Sequence, residues 1–473
     1  MSARPNQRKR RLAWIRYALE FRGASSLGLI LVVLMGFLGA AQILPNFSLN
    51  VGLLLIVAFE FQKRMDQGVP LLQLTSLIAV LQWLVGPTIN YATAYSYGRY
   101  SMYVPEAEYF RFAIPATAFY VAAMLATGAS VRQSNLLEAV DNRRFFTIGV
   151  LLNLTAIVAS IAALRLSGSL AFFLHLISQL RYVGALYFLF SRNQLRMLFA
   201  AASCIQLFTR SLGAGMFHDL ILWVALLFCY WFARRKWAVP VKLLVLSVVC
   251  VGLFSIQVVK QEYRNLLRKG MQPNILVLIS DYVTLGGQAW ETDTVNLAVT
   301  RLNQGWIISA IMKNVPESEP FAGGETVKEA LFSSLVPRFL APDKKRAGGR
   351  ENFRRFTGLQ IADSTSMAIS PLGEAYANFG PMGGIIFMVC FAAVFSAAYY
   401  GTLRYALKYP TFLFWIPLIF YQAIKAETEL VVVVNQLTKG AVVAFGCHFL
   451  IRQVFGTQIK SLHTAQEKTQ IAS

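Results

Sequence analysis

Seven basic residues, Arg338, Lys344, Lys345, Arg346, Arg350, Arg354 and Arg355, fall within residues 338–355, where Asp343 and Glu351 supply the acids. Arginine forks match phosphate oxygens in pairs, and a lysine adds a compact point charge, so the first chemistry to consider is binding of a phosphate or another polyanion. The surrounding stretch, 259–380, carries 14 basic and 12 acidic residues, so the excess of cations is local. Two other readings stand beside it: a solvated charge run, or a patch resting on anionic lipid headgroups.

Three more clusters combine groups that suit the same kind of ligand. "FTRSLGAGMFHDLILW" (208–223) ends one apolar run and opens the next. It places Arg210, His218 and Asp219 where ionisable groups in lipid are costly and so candidates for function; the alternative is an Arg210–Asp219 pair that closes a helical hairpin. "RLNQGWI" (301–307) sets Arg301 and two amides beside Trp306, donors for sugar hydroxyls with a ring to stack on one face. In "SPLGEAYANFGPMGG" (370–384), Glu374 is either a base toward a hydroxyl or a partner of a helix dipole. Tyr376, in the same stretch, joins the candidate binding residues. The tyrosine-dense stretch 91–110 is read either as an interfacial aromatic belt or as a surface for stacking sugars. Arg181 lies within an apolar run, where it snorkels or pairs, and His175 and His448 are read as packing residues. Neither a Walker loop nor a G-x-G-x-x-G, H-E-x-x-H or G-x-S-x-G motif occurs. The five cysteines lie in or beside apolar runs without C-x-x-C spacing, so neither a disulfide framework nor a metal site is expected.

These residues must be held by elements built for lipid. Of 473 residues 56% are apolar and 14% charged, and mean hydropathy is +0.52, a balance suited to a bilayer. The net charge of +21 is spread between apolar segments, which argues against a nucleic-acid partner. Apolar windows near 25–44, 49–62, 70–90, 112–130, 145–164, 169–190, 197–212, 216–233, 241–258, 382–402, 411–427 and 430–450 predict about twelve spanning helices, the second and seventh being short. With the N-terminus inside, Lys63/Arg64, Arg132/Arg143/Arg144, Arg192/Arg196, Arg234/Arg235/Lys236, Arg404/Lys408 and Arg452/Lys460 all fall on the cytoplasmic side, as the positive-inside rule requires. The basic N-terminal segment and the run 25–44 are read as an uncleaved first helix rather than a signal peptide. The expected organisation is an N-terminal bundle (1–258, helices 1–9), a large, partly helical external loop (259–380), and helices 10–12 with a cytoplasmic tail (381–473). Within the loop, "ETVKEALFSSLV" (325–336) is expected to lie parallel to the membrane.

Taken together, Arg210 in "TRSLGAGMFHD", Arg301 in "RLNQGW", "VPRFLAPDK" (336–344) and "LGEAYANFG" (372–380) give a chain that resembles the Wzy-type O-antigen and exopolysaccharide repeat-unit polymerases of bacterial inner membranes. The likeness covers the whole chain by topology and about a tenth of it by motif. It implies an all-α polytopic membrane protein, GT-C-like, with its large loop in the periplasm. The implied reaction is metal-independent transfer of a glycan from undecaprenyl pyrophosphate to another lipid-linked repeat unit. The donor carries its own activation, so no cofactor is implied. Arg210, Arg301 and Glu374 would then be catalytic. His218, Asp219, Trp306, Arg338, Lys344, Lys345, Arg346, Arg354 and Tyr376 would bind substrate. The implied partners are the undecaprenyl-pyrophosphate-linked oligosaccharide, membrane lipids and, where one acts, a chain-length regulator.

Two alternatives handle the same lipid. An O-antigen ligase hands the glycan to lipid A core, and a flippase or exporter moves it across the membrane. A rocking transporter should show symmetric halves and midplane ionisable residues on several helices, whereas polar chemistry here gathers in one loop.

Overall fold

The computed structural model describes residues 19–20, 26–65, 68–93, 100–126, 130–131, 136, 140, 142–166, 168–214, 218–233, 237–242, scattered positions from 244 to 280, 302–336, 349–363 and 365–456. Helices dominate. They run α1 (Ser26–Ala41), α2 (Asn46–Arg64), α3 (Leu71–Thr93), α4 (Glu106–Ala126), α5 (Phe145–Ala163), α6 (Gly168–Ser178), α7 (Leu180–Leu189), α8 (Arg196–Ala214) and α9 (His218–Phe232). After residue 302 come α10 (Gly305–Asn314), α11 (Glu325–Leu335), α12 (Arg350–Thr357), α13 (Ser370–Lys408), a 3-10 turn (Pro410–Trp415), α14 (Ile416–Phe420) and α15 (Leu430–Phe455). The extended structure among the described residues is one two-residue antiparallel pairing, Leu19 with Val131 and Glu20 with Ser130.

Among the described residues, α3, α4, α5, α13 and α15 are long and apolar enough to cross a membrane, and shorter apolar helices lie at 27–41, 196–209, 219–232 and 410–420. Their outer faces carry exposed Leu154, Ile157, Val158 and Ile161 on α5, Met382, Ile386 and Val394 on α13, and Val442, Leu450 and Val454 on α15. Such a continuous apolar belt is costly in water and natural in lipid, where helices satisfy their own backbone. The chain is a helical membrane protein.

The start of α5 and the end of α15 meet at one end of the bundle. There Arg144 Nη1 donates to Phe455 O at 2.9 Å, Asn142 Nδ2 to Phe190 O at 3.1 Å, and Tyr399 Oη to Val69 O at 3.1 Å. The opposite end holds the described parts of 259–380. They are not a separate body, because α10 is buried from Gly305 through Met312 and its isoleucines share one hydrophobic core with the spans.

Two backbone irregularities seat this insertion. Residues Leu81–Val85 of α3 form a π-helical turn, which withdraws carbonyls from the usual ladder. Gln82 O then accepts from Gln304 N at 3.0 Å, and Trp83 O from the Tyr109 hydroxyl at 2.8 Å. Gly86 makes the approach possible: a Cβ there would lie 2.7 Å from Asn303 Cα. Gly86→Ala is therefore expected to destabilise the protein by about 1–3 kcal/mol, seen as a lower thermal midpoint in detergent. Gly401→Ala on α13, with nothing within 4 Å of its Cβ, should leave the midpoint unchanged; equal effects would refute this seat. The second irregularity breaks α13 at Gly380, whose φ of 66° suits glycine, just before Pro381. The break separates residues 370–379 from the long apolar stretch that follows.

Candidate functional site

Polar groups from four distant parts of the chain converge on residues 421–429, "YQAIKAETE", an irregular segment between α14 and α15. Lys425 is buried, and its Nζ donates to Asp219 Oδ1, at the start of α9, at 2.8 Å. Trp83 Nε1 of α3 donates to Ala426 O at 3.3 Å, and Gln304 Nε2 to Glu427 Oε2 at 3.4 Å. Asn352 Nδ2 of α12 donates to Glu429 Oε1 at 2.5 Å. Burial pushes the Glu429 carboxyl above the usual range, against the lowering effect of the Asn352 bond. Backbone outside a helix is tolerated in such a protein only where it is enclosed by protein or lines a polar cavity, and that is where binding sites of discontinuous helices lie.

An aromatic wall borders the segment. Trp223 stacks on Tyr421 with ring centroids 5.0 Å apart and planes 17° apart, and Tyr182 lies 4.2 Å from Trp223 on its side. Lys425 Nζ sits 4.5 Å from the Tyr421 ring centre, an arrangement in which the ring quadrupole helps hold the cation.

Glu374 lies beside this segment. It is 1% exposed, and both carboxylate oxygens are occupied. Oε1 accepts from the Leu430 backbone N–H at 2.6 Å, and Oε2 from Thr326 Oγ1 at 2.9 Å. Asn378 Nδ2 donates to Thr326 Oγ1 at 2.7 Å, and Asn378 Oδ1 accepts from Gly324 N at 3.1 Å. The carboxyl group thus ties α11 and α13 to the first turn of α15 by accepting from one of its free N–H groups. Of the two roles read from sequence, this geometry supplies the helix-end one directly.

The described half of the basic run forms α12. Phe353 and Phe356 face inward and are fully buried, while the arginines of the other faces meet carboxylates. Arg350 and Arg354 share Asp363, at 3.3 and 3.1 Å from Oδ1, and Arg354 also donates to Ile361 O. Arg355 grips Glu319 at 2.5 Å and Glu325 at 3.0 Å, and the Glu319 bond is the main reason its guanidinium holds its proton more firmly than usual. These acids come from residues 319, 325 and 363, outside 338–355, so the local cation excess is smaller in space than along the chain. Arg338, Lys344, Lys345 and Arg346 lie outside the described residues, as does Arg301. The backbones of Arg210 and His218 end α8 and begin α9, but their side chains lie outside what is described.

Trp306 and Tyr376 are core residues. Trp306 is 2% exposed between Tyr100 and Phe353, and Tyr376 is 6% exposed between Phe112 and Phe321. Neither offers an open face to a sugar in this conformation. Asp219 does stand at the site, with Lys425 as a partner. Lys425 and Glu427 lie in a window, 411–427, that averages as apolar, and Glu429 just beyond it; three ionisable residues in five positions are the signal the sequence carries. No cluster of metal-ligating side chains occurs among the described residues.

No family model matches the chain, and no similar curated protein or solved structure is found.

Proposed function

We propose that this protein is a polysaccharide polymerase of the bacterial inner membrane, transferring a glycan chain from undecaprenyl pyrophosphate to another lipid-linked repeat unit at the periplasmic face. What supports this is the buried, irregular segment 421–429 with its ion pair and aromatic wall. It lies at the end of a lipid-facing bundle where α12, the described half of the basic run, also attaches. A substrate with an apolar tail, a charged link and a sugar head needs those three environments side by side.

In this reading the chain crosses the membrane twelve times with both termini cytoplasmic, and residues 259–380 face the periplasm. The acceptor hydroxyl oxygen forms a bond to the donor's anomeric carbon and loses its proton to solvent or a nearby base. The anomeric C–O bond to pyrophosphate breaks, and undecaprenyl pyrophosphate leaves with the electron pair. Cations matter most because negative charge grows on that leaving group, and a water-poor site enlarges their effect. Arg210, Arg301 and the cations of 338–346 are assigned to this charge, and the site otherwise contributes positioning of two tethered sugars.

The test is deletion of the gene followed by gel analysis of surface glycan. Loss of a polymerase leaves single repeat units attached to the surface acceptor. Lipid-linked polymer left unattached would make the protein a ligase instead, and absence of both would make it a flippase or exporter.

A further inference from the structure

We propose that Lys425 anchors the phosphate of a polyprenyl-linked pyrophosphate, and that Asp219 is the resident anion which that phosphate displaces. The inference rests on the reading above only in taking the ligand to be lipid-linked.

The two partners of the ion pair differ in setting. The Lys425 side chain is 9% exposed, whereas that of Asp219 is 58% exposed. A buried ammonium is costly without a paired anion, and the more exposed Asp219 supplies it at 2.8 Å. The carboxylate therefore fills the place through which any other anion would reach Nζ. Around the ammonium, Tyr421 covers one side at 4.5 Å and is itself backed by Trp223. The next acid along the segment, Glu427, is engaged by Gln304, and Glu429 by Asn352. Lys425 is thus the cation of this segment, and its partner carboxylate is the more solvent-accessible of the two.

A phosphate has more charge and more acceptor oxygens than a carboxylate, and a charge-assisted bond to it would replace the one to Asp219. The aromatic wall gives an apolar flank on which a prenyl unit or a sugar face can rest. The exchange leaves Asp219 with its contact to the Tyr421 side chain, so the ion pair serves as a stopper that opens when substrate arrives.

Opposite signs for the two partners make this testable. Full-length protein in nanodiscs is titrated with undecaprenyl pyrophosphate, with undecaprenol and with inorganic pyrophosphate, and binding is read by native mass spectrometry. Lys425→Gln is expected to weaken undecaprenyl pyrophosphate by about tenfold or more, the size of one charge-assisted bond, and to leave undecaprenol unchanged. Asp219→Asn removes the competing anion and is expected to tighten undecaprenyl pyrophosphate several-fold. If Lys425→Gln fails to fold, the direction of the Asp219→Asn effect decides. Weaker or unaltered binding in Asp219→Asn overturns the proposal, because a purely structural pair gives that result. Inorganic pyrophosphate bound as tightly as the lipid form would also overturn it, by assigning the site to a free anion. A ligase or exporter would handle the same lipid, so failure of polymerisation with this binding pattern intact would sink the polymerase reading alone.

Discussion

Glu374→Ala is expected to be the most damaging single substitution outside the ligand site. It removes the acceptor of the Leu430 N–H and of Thr326 Oγ1, both buried. Each orphaned donor costs about 1–3 kcal/mol, and the cavity left in a closely packed region adds to that. The expected outcome is a sharp fall in membrane protein level and in the thermal midpoint of what remains. Glu374→Gln keeps the shape and one acceptor oxygen but must turn its amide toward either Leu430 or Thr326, so an intermediate loss of stability is expected. Activity per folded molecule should survive in Glu374→Gln. Normal protein level with complete loss of product in that variant would instead make Glu374 the base.

The second large effect is expected at Arg181. The run 169–190 reads in sequence as one apolar span, yet it is two helices, α6 and α7, meeting at Gln179. Arg181 lies in the first turn of α7 and is 5% exposed. Its Nε donates to Ser178 O at 2.7 Å, closing the end of α6, and its Nη2 donates to Ala156 O of α5 at 3.2 Å. Further bonds reach Ser160 of α5 and Gln206 of α8. One guanidinium thus joins α5, α6, α7 and α8 at the helix break. Arg181→Ala is expected to cost about 2–4 kcal/mol, since several buried acceptors lose their donor at once, and to lower protein abundance. Arg181→Met, which refills much of the volume, should recover part of that stability and retain activity per molecule. A stable but inactive Arg181→Met would show that the charge acts on substrate rather than on packing.

These positions show what a hydropathy reading captures and what escapes it. The apolar runs at 145–164 and 430–450 correspond closely to α5 and α15 because those helices are unbroken and carry a broad exposed apolar face. Breaks inside spans were less visible. Averaging over a window hides the Gln179 junction, the π-helical turn at Leu81–Val85 and the irregular segment 421–429. Each is fixed by a distant element: α5 and α8 hold the Arg181 that closes the first, Gln304 and Tyr109 take up backbone carbonyls at the second, and Asp219 and Trp83 bond the third. No local pattern carries those contacts.

The same limit applied to side chains. Trp306 beside amides in "RLNQGWI" has the composition of a sugar-binding strip, but Tyr100 and Phe353 pack its ring. Arg350, Arg354 and Arg355 look like a free cation cluster until Asp363, Glu319 and Glu325 arrive from elsewhere in the chain. Exposed pairs of this kind contribute little to stability, typically about 0–1 kcal/mol each. Their consequence is electrostatic: Arg350, Arg354 and Arg355 offer a ligand less positive charge than their spacing in the sequence suggests. Glu374 is legible in the sequence as a base or a helix-end partner, but its partners on α11 and α15 are not.

The most direct measurement is reconstitution of the purified protein in liposomes with a single undecaprenyl-pyrophosphate-linked repeat unit and no other enzyme. The account predicts a ladder of longer lipid-linked glycans, with one undecaprenyl pyrophosphate released for each bond formed and no requirement for nucleotide. Repeat units that stay single, and are joined to nothing unless lipid A core is supplied, would contradict it.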